Sequence, residues 1–108
     1  MPKKNRLTSK KDIDRVFKNG ETIKGRFLFI KQLDSSREYP RFAFIVSSKH
    51  VSLAVDRNKI RRIFSEEIAK MLLLGFNRDT IVVVYKKTER GRFKELGEEF
   101  REILLKLT

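Results

Sequence analysis

Apolar residues recur at spacings of three and four in three parts of the chain, and this periodicity predicts three helices. Asn19-Gly20 and Gly75 stand where the first two of them should end. The predicted helices are Lys10–Lys18 after a cap at Thr8 or Ser9, a second helix from a cap at Ser52 or Asp56 to Leu74, and Phe93–Leu107.

Aromatic and β-branched residues are concentrated between these helices, which predicts strands. The predicted strands are Thr22–Leu33, Arg41–Ser47 and Thr80–Lys86. Gly25 marks either a bulge in the first strand or its division into two strands. The resulting order, α-β-β(-β)-α-β-α, indicates one α+β domain.

Both faces of the predicted sheet carry apolar side chains. Because side chains alternate along a strand, Phe27 and Phe29 should lie on the face opposite Leu28 and Ile30. In the second strand, Phe42 and Phe44 should lie on the face opposite Ala43 and Ile45. Helices must cover one face as the core. The other face is either covered by helices as well or partly open, with aromatic side chains near solvent.

The second predicted helix has two different sides. Its apolar stripe, which can pack on the sheet, consists of Ile60, Ile63, Phe64, Ile68, Met71 and Leu74. The opposite side carries Asn58, Arg62 and Ser65, with Lys59 and Arg61 beside them and Arg57 near the helix N-terminus. Cations three and four residues apart repel each other, so this side lowers the stability of the isolated helix. We infer that a polyanion outside the chain compensates, because guanidinium groups bind phosphate in a forked geometry.

The alternative is a solvated helix face that neighbouring acids neutralise. The nearest acids, Glu66 and Glu67, are too few to balance the cations. Glu67 also falls toward the apolar stripe, and the periodicity does not explain why an acid stands there.

Composition agrees with a polyanionic partner. The 108 residues suit one domain, and 26 Lys and Arg against 14 Asp and Glu give a net charge of +12 and a pI near 10.3. Nucleic acid is the leading partner class, and an anionic membrane surface is the second. The chain has no cysteine and only one histidine, His50, which argues against thiolate metal sites, histidine metal sites and catalytic triads.

The termini and the hydropathy pattern argue against a membrane protein. No apolar run approaches the about 18 residues of a membrane span. The first residues, M-P-K-K-N-R, lack the apolar segment of a secretory signal. We therefore expect a soluble cytoplasmic protein that consists of one nucleic-acid-binding domain over residues 1–108, with residues 1–8 as a basic arm.

The basic helix contains a motif that resembles a known family signature. Ala54–Arg62 is A-V-D-R-N-K-I-R-R, which is similar to the A-V-x-R-N-x-[IL]-[KR]-R signature of the bacterial ribonuclease P protein subunit. Three further pieces follow in the family's order: N-R-L at Asn5–Leu7, V-F-K-x-G at Val16–Gly20, and S-K at Ser48-Lys49. The chain departs from the family pattern at Ser65, where an Arg is common, at Ser52-Leu53, where a Gly-Asn pair is usual, and at Ile13, where an aromatic residue is common.

The resemblance implies a fold and a reaction. The fold is a central, mostly antiparallel four-stranded sheet flanked by three helices (α-β-β-β-α-β-α), with an unusual left-handed crossover through the basic helix. The reaction is hydrolytic removal of the 5′ leader from precursor tRNA, which leaves a 5′-phosphate on the mature end. In this family a catalytic RNA carries the chemistry and holds Mg²⁺. We therefore expect no catalytic residue, no metal site, no firmly bound cofactor and no obligate protein partner for this chain.

The resemblance also implies two sites for RNA. Ribonuclease P RNA docks on the basic helix and the loop before it: Arg57, Asn58, Lys59, Arg61 and Arg62, with Lys49 and His50 nearby. The leader of precursor tRNA lies in a cleft between the first helix and the open sheet face, made by Phe17, Phe27, Phe29, Lys31, Phe44 and Ser48. Aromatic stacking suits a leader of varying sequence, because every base has a π-face. Ordinary core packing is the alternative for each phenylalanine, above all for Phe44.

Three other functions share the basic helix. A ribosomal or other structural RNA-binding protein would have no leader cleft. A double-stranded DNA-binding protein would place the helix in the major groove, but no helix–turn element precedes it. A membrane-surface binder would need a free apolar helix face, and the pattern commits that face to the sheet.

Overall fold

The computed structural model describes residues 2–35, 37–71 and 77–106 and confirms the predicted α+β architecture over them. The helices are α1 (Lys10–Asn19), α2 (Ala54–Met71) and α3 (Phe93–Lys106). The strands are β1 (Glu21–Lys24), β2 (Leu28–Asp34), β3 (Arg41–Val46) and β4 (Arg78–Val84). None of the helices seen in these ranges has both the length and the apolar content to cross a membrane.

The strands form one mixed sheet in the order β1-β2-β4-β3. The pairs β1–β2 and β2–β4 are antiparallel, whereas β3 and β4 are parallel. Two parallel neighbours need a crossover connection, and α2 lies in the segment that joins β3 to β4. The left hand of this crossover stays a prediction from the family resemblance.

The first predicted strand is divided at Gly25 into two strands, β1 and β2, so Gly25 does not mark a bulge within one strand. Gly25 donates its N–H to the Leu28 carbonyl at 2.8 Å in the turn between β1 and β2. Glu99 of α3 accepts the backbone N–H groups of Phe27 and Leu28 at 3.0 and 3.2 Å. A Cβ at position 25 would collide with that carboxylate, which explains the glycine.

The ends of the elements test the predicted caps. Ser9 caps α1 by accepting the N–H of Asp12 at 3.4 Å. Neither Ser52 nor Asp56 caps α2, because the helix begins between them and the Leu53 carbonyl accepts the first helical N–H groups. The predicted end of α2 at Leu74 and Gly75 lies outside the described residues.

Strand β4 begins two residues before the predicted Thr80. Asp79 pairs in register with Leu33 and Arg41 and is fully buried. Arg41 makes this burial tolerable, since its Nε and a terminal nitrogen donate to the Asp79 carboxylate at 2.9 and 2.7 Å. The hydrogen bonds that Arg41 donates to Asp79 raise the pKa of its guanidinium above the ordinary value.

Helices α2 and α3 cover one face of the sheet and enclose the main core. Phe64 is fully buried between Phe44 and Phe100, with ring centroids 5.4 and 5.0 Å apart. The two helices approach so closely that a Cβ on Gly97 would lie 2.8 Å from the Ile63 side chain. The solvent-excluded core therefore lies on this face, as the apolar stripes of the helices predicted.

Glu67 joins α2 to α3 and explains the acid on the apolar stripe. Arg101 donates two hydrogen bonds to its carboxylate, at 2.7 and 2.8 Å. The Glu67 side chain is only 8% exposed, so the charge needs this partner. The Arg101 hydrogen bonds hold the pKa of Glu67 below its usual range.

Helix α1 covers only part of the opposite face. Val16 is fully buried against Ile81 and Leu7 in a smaller cluster. Beyond α1, Phe29 is half-buried and Ile45 is 37% exposed. The sheet is therefore partly open on this side, which decides between the two alternatives left by the sequence.

The predicted basic arm is attached to the edge of the sheet rather than free. Leu7 donates its N–H to the Phe42 carbonyl of β3 at 2.8 Å, and Arg6 forms a parallel bridge with Phe42. The Asn5 side-chain amide donates to the Pro40 carbonyl at 2.6 Å. Because β3 is the last strand of the sheet, these contacts cover part of its outer edge.

Candidate nucleic-acid interface

The outer side of α2 carries the cations that the sequence predicted there. Asn58, Lys59 and Arg62 are exposed, whereas Ile60 and Phe64 have no solvent exposure. The fold therefore commits the apolar stripe to the core and leaves the cationic side open. We call this exposed side, with Asn58, Lys59 and Arg62 as its members, the cationic face.

Two of the predicted arginines make contacts inside the protein. Arg57 is half-buried and donates from one terminal nitrogen to the carbonyls of Val51 and Ser52, both at 2.9 Å. Arg61 is also half-buried and donates to the Asn58 side chain at 3.2 Å. Arg57 thus holds the loop before α2 against the helix, and Arg61 orients Asn58.

The loop before α2 brings Lys49 and His50 beside the helix, as predicted. The His50 Nδ1 lies 2.9 Å from the Ser47 hydroxyl, and its backbone carbonyl accepts the Thr88 N–H. Lys49 and His50 line a hollow of about 240 Å³ together with Asp56 at the start of α2. The loop and the helix N-terminus therefore form one continuous surface.

The second predicted site lies on the open sheet face next to α1. Strand register places Phe29 and Lys31 on this face, opposite Val83 and Ile81 of β4. Phe17 of α1 is half-buried against the cluster that contains Ile81. These three predicted residues, Phe17, Phe29 and Lys31, therefore lie on one side of the sheet.

The placement of Phe27 and Phe44 in this cleft is wrong. Phe27 precedes β2 and lies in the turn, so strand alternation does not apply to it. The residue is only 9% exposed and belongs to the helix-side core. Phe44 alternates toward the helices, where it contacts Phe64. Ser48 is exposed in the loop after β3 rather than on the sheet face.

Tyr85 is a member of the open face that the sequence analysis missed. Its ring centroid lies 5.8 Å from that of Phe29, and its hydroxyl donates to the Gly25 carbonyl. The ammonium groups of Lys24 and Lys86 lie 5.1 and 5.5 Å from the Tyr85 centroid. The signal was present in the strand I-V-V-V-Y-K, where alternation puts Tyr85 on the side of Val83.

Aromatic rings with flanking ammonium groups form the usual platform for single-stranded nucleic acid, because bases stack on the rings and phosphates pair with the cations. We call this group the aromatic face: Phe29, Tyr85, Lys24, Lys31 and Lys86.

A groove links the sheet to α2. It has a volume of about 440 Å³ and is lined by Ile13 of α1, by Ala43 and Ile45 of β3, and by Arg61 and Ser65 of α2. Ala43 and Ile45 pair in register with Ile81 and Val83, so the floor of the groove is the open face of the sheet. One extended strand could therefore pass from the open sheet face to α2.

Two acids near the open sheet face, Asp12 and Asp79, are paired with arginines. Asp12 of α1 accepts from Arg41 at 3.2 Å, and Asp79 accepts from both Arg41 and Arg15. Within residues 2–35, 37–71 and 77–106, no three His, Asp or Glu side chains are grouped closely enough to hold a metal ion. The arrangement is suited to binding a polyanion and stacking its bases.

Comparison with known proteins identifies one family. The family model described as Ribonuclease P matches residues 1–108. The ribonuclease P protein component of Pseudanabaena sp. is 32% identical over 108 residues, which cover 98% of this chain and 93% of the relative. The ribonuclease P protein component of Bacillus pumilus is 31% identical and covers 98% of this chain and 90% of its own length.

Solved structures agree on the fold. The ribonuclease P protein of Staphylococcus aureus matches with a TM-score of 0.86 at 21% identity, over 96% of this chain and 95% of that protein. The ribonuclease P protein of Thermotoga maritima matches with a TM-score of 0.71 at 22% identity, over 94% of this chain and 93% of that protein.

Proposed function

The chain belongs to the ribonuclease P protein family, and on this basis we propose how it works within an RNA-containing nuclease. It docks on ribonuclease P RNA with the cationic face and the loop before α2. It holds the 5′ leader of precursor tRNA on the aromatic face.

Docking on the catalytic RNA uses the exposed polar and cationic side chains of α2. Asn58, Lys59 and Arg62 project from a helix whose other side is fixed in the core, so they are presented on a rigid element. Phosphate contacts of this kind release counterions from the RNA and make binding fall steeply with salt. Arg57 contributes indirectly, since it holds the carbonyls of Val51 and Ser52 and fixes the loop.

Leader binding is supported by the partly open sheet face. Phe29 and Tyr85 present aromatic rings there, and Lys24, Lys31 and Lys86 lie around them. Base stacking contributes about 1–3 kcal/mol per base whatever the base is. Such a site distinguishes precursor from mature tRNA, because only the precursor has a leader to place on the rings.

The hydrolytic chemistry is assigned to the RNA. Magnesium ions held by the RNA would supply the activated water for hydrolysis of the phosphodiester. This chain supports the reaction by binding and orienting the substrate. A structural RNA-binding protein would share the cationic face but would have no use for the aromatic face.

Reconstitution tests the proposal directly. The protein is mixed with a bacterial ribonuclease P RNA at low magnesium, and 5′ cleavage of a precursor tRNA is measured with and without the protein. We expect cleavage to rise when the protein is added and to give a mature 5′-phosphate end. Unchanged cleavage, together with equal affinity for precursor and mature tRNA, would overturn the proposal.

A further inference from the structure

We propose that Arg90, oriented by Asp56, extends the RNA-docking surface of α2 onto the loop between β4 and α3 and binds a phosphate there. This inference rests on the proposed function, because it assumes that the RNA docks on the cationic face. It adds a contact outside the signature helix and a role for an acid inside it.

The contact between the two residues is short and directional. The Arg90 Nε lies 2.8 Å from the Asp56 Oδ1. The Asp56 side chain is 14% exposed in the first turn of α2, whereas the Arg90 side chain is 63% exposed. Since the bond uses Nε, the two terminal nitrogens of Arg90 stay available, and within the described part of the chain they contact no side-chain partner.

The loop that carries Arg90 is fixed to the protein from a second side. Thr88 is buried, donates its N–H to the His50 carbonyl at 3.1 Å, and donates its hydroxyl to the Lys86 carbonyl at 2.9 Å. Arg90 follows two residues later in a short 3-10 turn, Arg90–Arg92. Anchoring at Thr88 and at Asp56 reduces the conformational entropy that the guanidinium would lose on binding RNA.

Arg90 stands between two groups of residues already assigned to RNA. It lines a hollow of about 450 Å³ with Asn58, Lys59 and Arg62 of α2. It also lines the hollow of about 240 Å³ that contains Lys49 and His50. A phosphate backbone that passes from the helix to the loop before it would therefore pass the Arg90 guanidinium.

The pairing explains an acid within a cationic surface. A free carboxylate at position 56 would repel RNA at the start of the helix that binds it. Pairing with Arg90 offsets the negative charge of Asp56. Asp56 in turn directs the forked guanidinium of Arg90, which can bind phosphate, toward the cationic face. Asp56 is thus a positioning residue and not an RNA contact.

The salt dependence of binding to ribonuclease P RNA tests the Arg90 contact. We expect Arg90→Ala to weaken binding and to reduce the slope of log affinity against log salt by about 1, as for one lost phosphate contact. Arg92→Ala is the matched control, because Arg92 belongs to the same turn but pairs with Glu95 at 3.1 Å. We expect Arg92→Ala to leave the slope unchanged, and thermal unfolding checks that both variants fold.

A double-mutant cycle tests the role of Asp56. If Asp56 orients Arg90, Asp56→Asn weakens RNA binding in the wild-type background but not in the Arg90→Ala background. If Asp56 only adds a negative charge near the RNA, Asp56→Asn strengthens binding equally in both backgrounds. The second result would overturn the positioning role.

A reference variant separates failure of this inference from failure of the proposed function. Arg62→Ala removes an exposed member of the cationic face and is expected to reduce the salt slope by about 1. A reduced slope for Arg62→Ala with an unchanged slope for Arg90→Ala would overturn the Arg90 contact alone. Unchanged slopes for both variants would also overturn docking through α2.

Discussion

Phe29 and Phe44 show how strand position separates a residue on the open face of the sheet from a core residue. Phe29 lies on the partly open face with its ring 5.8 Å from that of Tyr85. Phe44 lies on the helix side with its ring 5.4 Å from that of Phe64. The two residues have the same chemistry, so their roles follow only from the face of the sheet on which each one falls.

The effect of removing the Phe29 ring measures its role in leader binding. We expect Phe29→Ala to lower the affinity of the holoenzyme for precursor tRNA by about 1–3 kcal/mol and to leave its affinity for mature tRNA unchanged. The reason is that only the precursor carries bases that can stack there. Binding of both tRNAs to the reconstituted holoenzyme provides the measurement.

Phe44→Leu is the matched control for Phe29→Ala, because it keeps an apolar side chain on the core side of the sheet. We expect it to leave the ratio of precursor to mature affinity unchanged. If Phe29→Ala lowered the affinities for precursor and mature tRNA equally, Phe29 would be a structural residue only.

Strand alternation correctly set Phe42 and Phe44 against Ala43 and Ile45, but it misplaced Phe27 relative to Phe29. The rule requires a continuous strand, and the chain turns at Gly25 before β2 begins. The turn is held by Glu99, which lies 72 residues beyond Phe27 in the sequence. Local periodicity contains no information about a partner so distant.

At the scale of elements, the apolar periodicity of α2 could be predicted from the sequence, whereas its ion pair with α3 could not. Its spacing correctly predicted Asn58 and Arg62 on the exposed side and Ile60, Phe64 and Ile68 in the core. The pairing of Glu67 with Arg101, 34 residues away, depends on how α3 packs and could not be predicted from α2 alone.

The Glu67–Arg101 pair should make the stability of the protein depend on pH. The pKa of Glu67 is lowered in the folded state, so its contribution is fully present above the pKa of the unfolded carboxyl group and is lost as pH falls through the lowered value. We expect Glu67→Gln to lower the Tm by several degrees near neutral pH. The Tm difference from the wild-type protein should shrink as the pH is lowered to about 3.

Glu66→Gln is the control for this experiment, because Glu66 is the exposed neighbour on the same helix. Its Tm should stay close to that of the wild-type protein. Thermal unfolding across the pH range measures all three proteins. A Tm difference for Glu67→Gln that is constant with pH would contradict the ionic origin of the effect.

At the scale of the whole molecule, the positive net charge lowers the stability of the folded state and raises the affinity for RNA. A net charge of +12 on 108 residues creates self-repulsion in the compact state. The pairs Arg41–Asp79 and Glu67–Arg101, each with a buried carboxylate, are screened less than the surface cations. Added salt should therefore relieve the repulsion more than it weakens the internal ion pairs.

Salt is accordingly expected to act in opposite directions on stability and on binding. Raising NaCl from about 50 mM to about 500 mM should raise the Tm of the free protein and lower its affinity for RNA. A variant with less surface charge, Lys59→Gln with Arg62→Gln, should show a smaller rise in Tm. A fall in the Tm of the wild-type protein with salt would show that surface ion pairs outweigh self-repulsion.

The attachment of Asn5, Arg6 and Leu7 to β3 has a consequence for the free protein. The last strand of a sheet exposes unpaired backbone groups that can recruit a second molecule. Here Leu7 covers the edge of β3 at Phe42 with a backbone hydrogen bond. Proteolytic clipping within the first seven residues would reopen this edge, so an intact amino terminus protects the molecule against edge-to-edge aggregation before it meets its RNA.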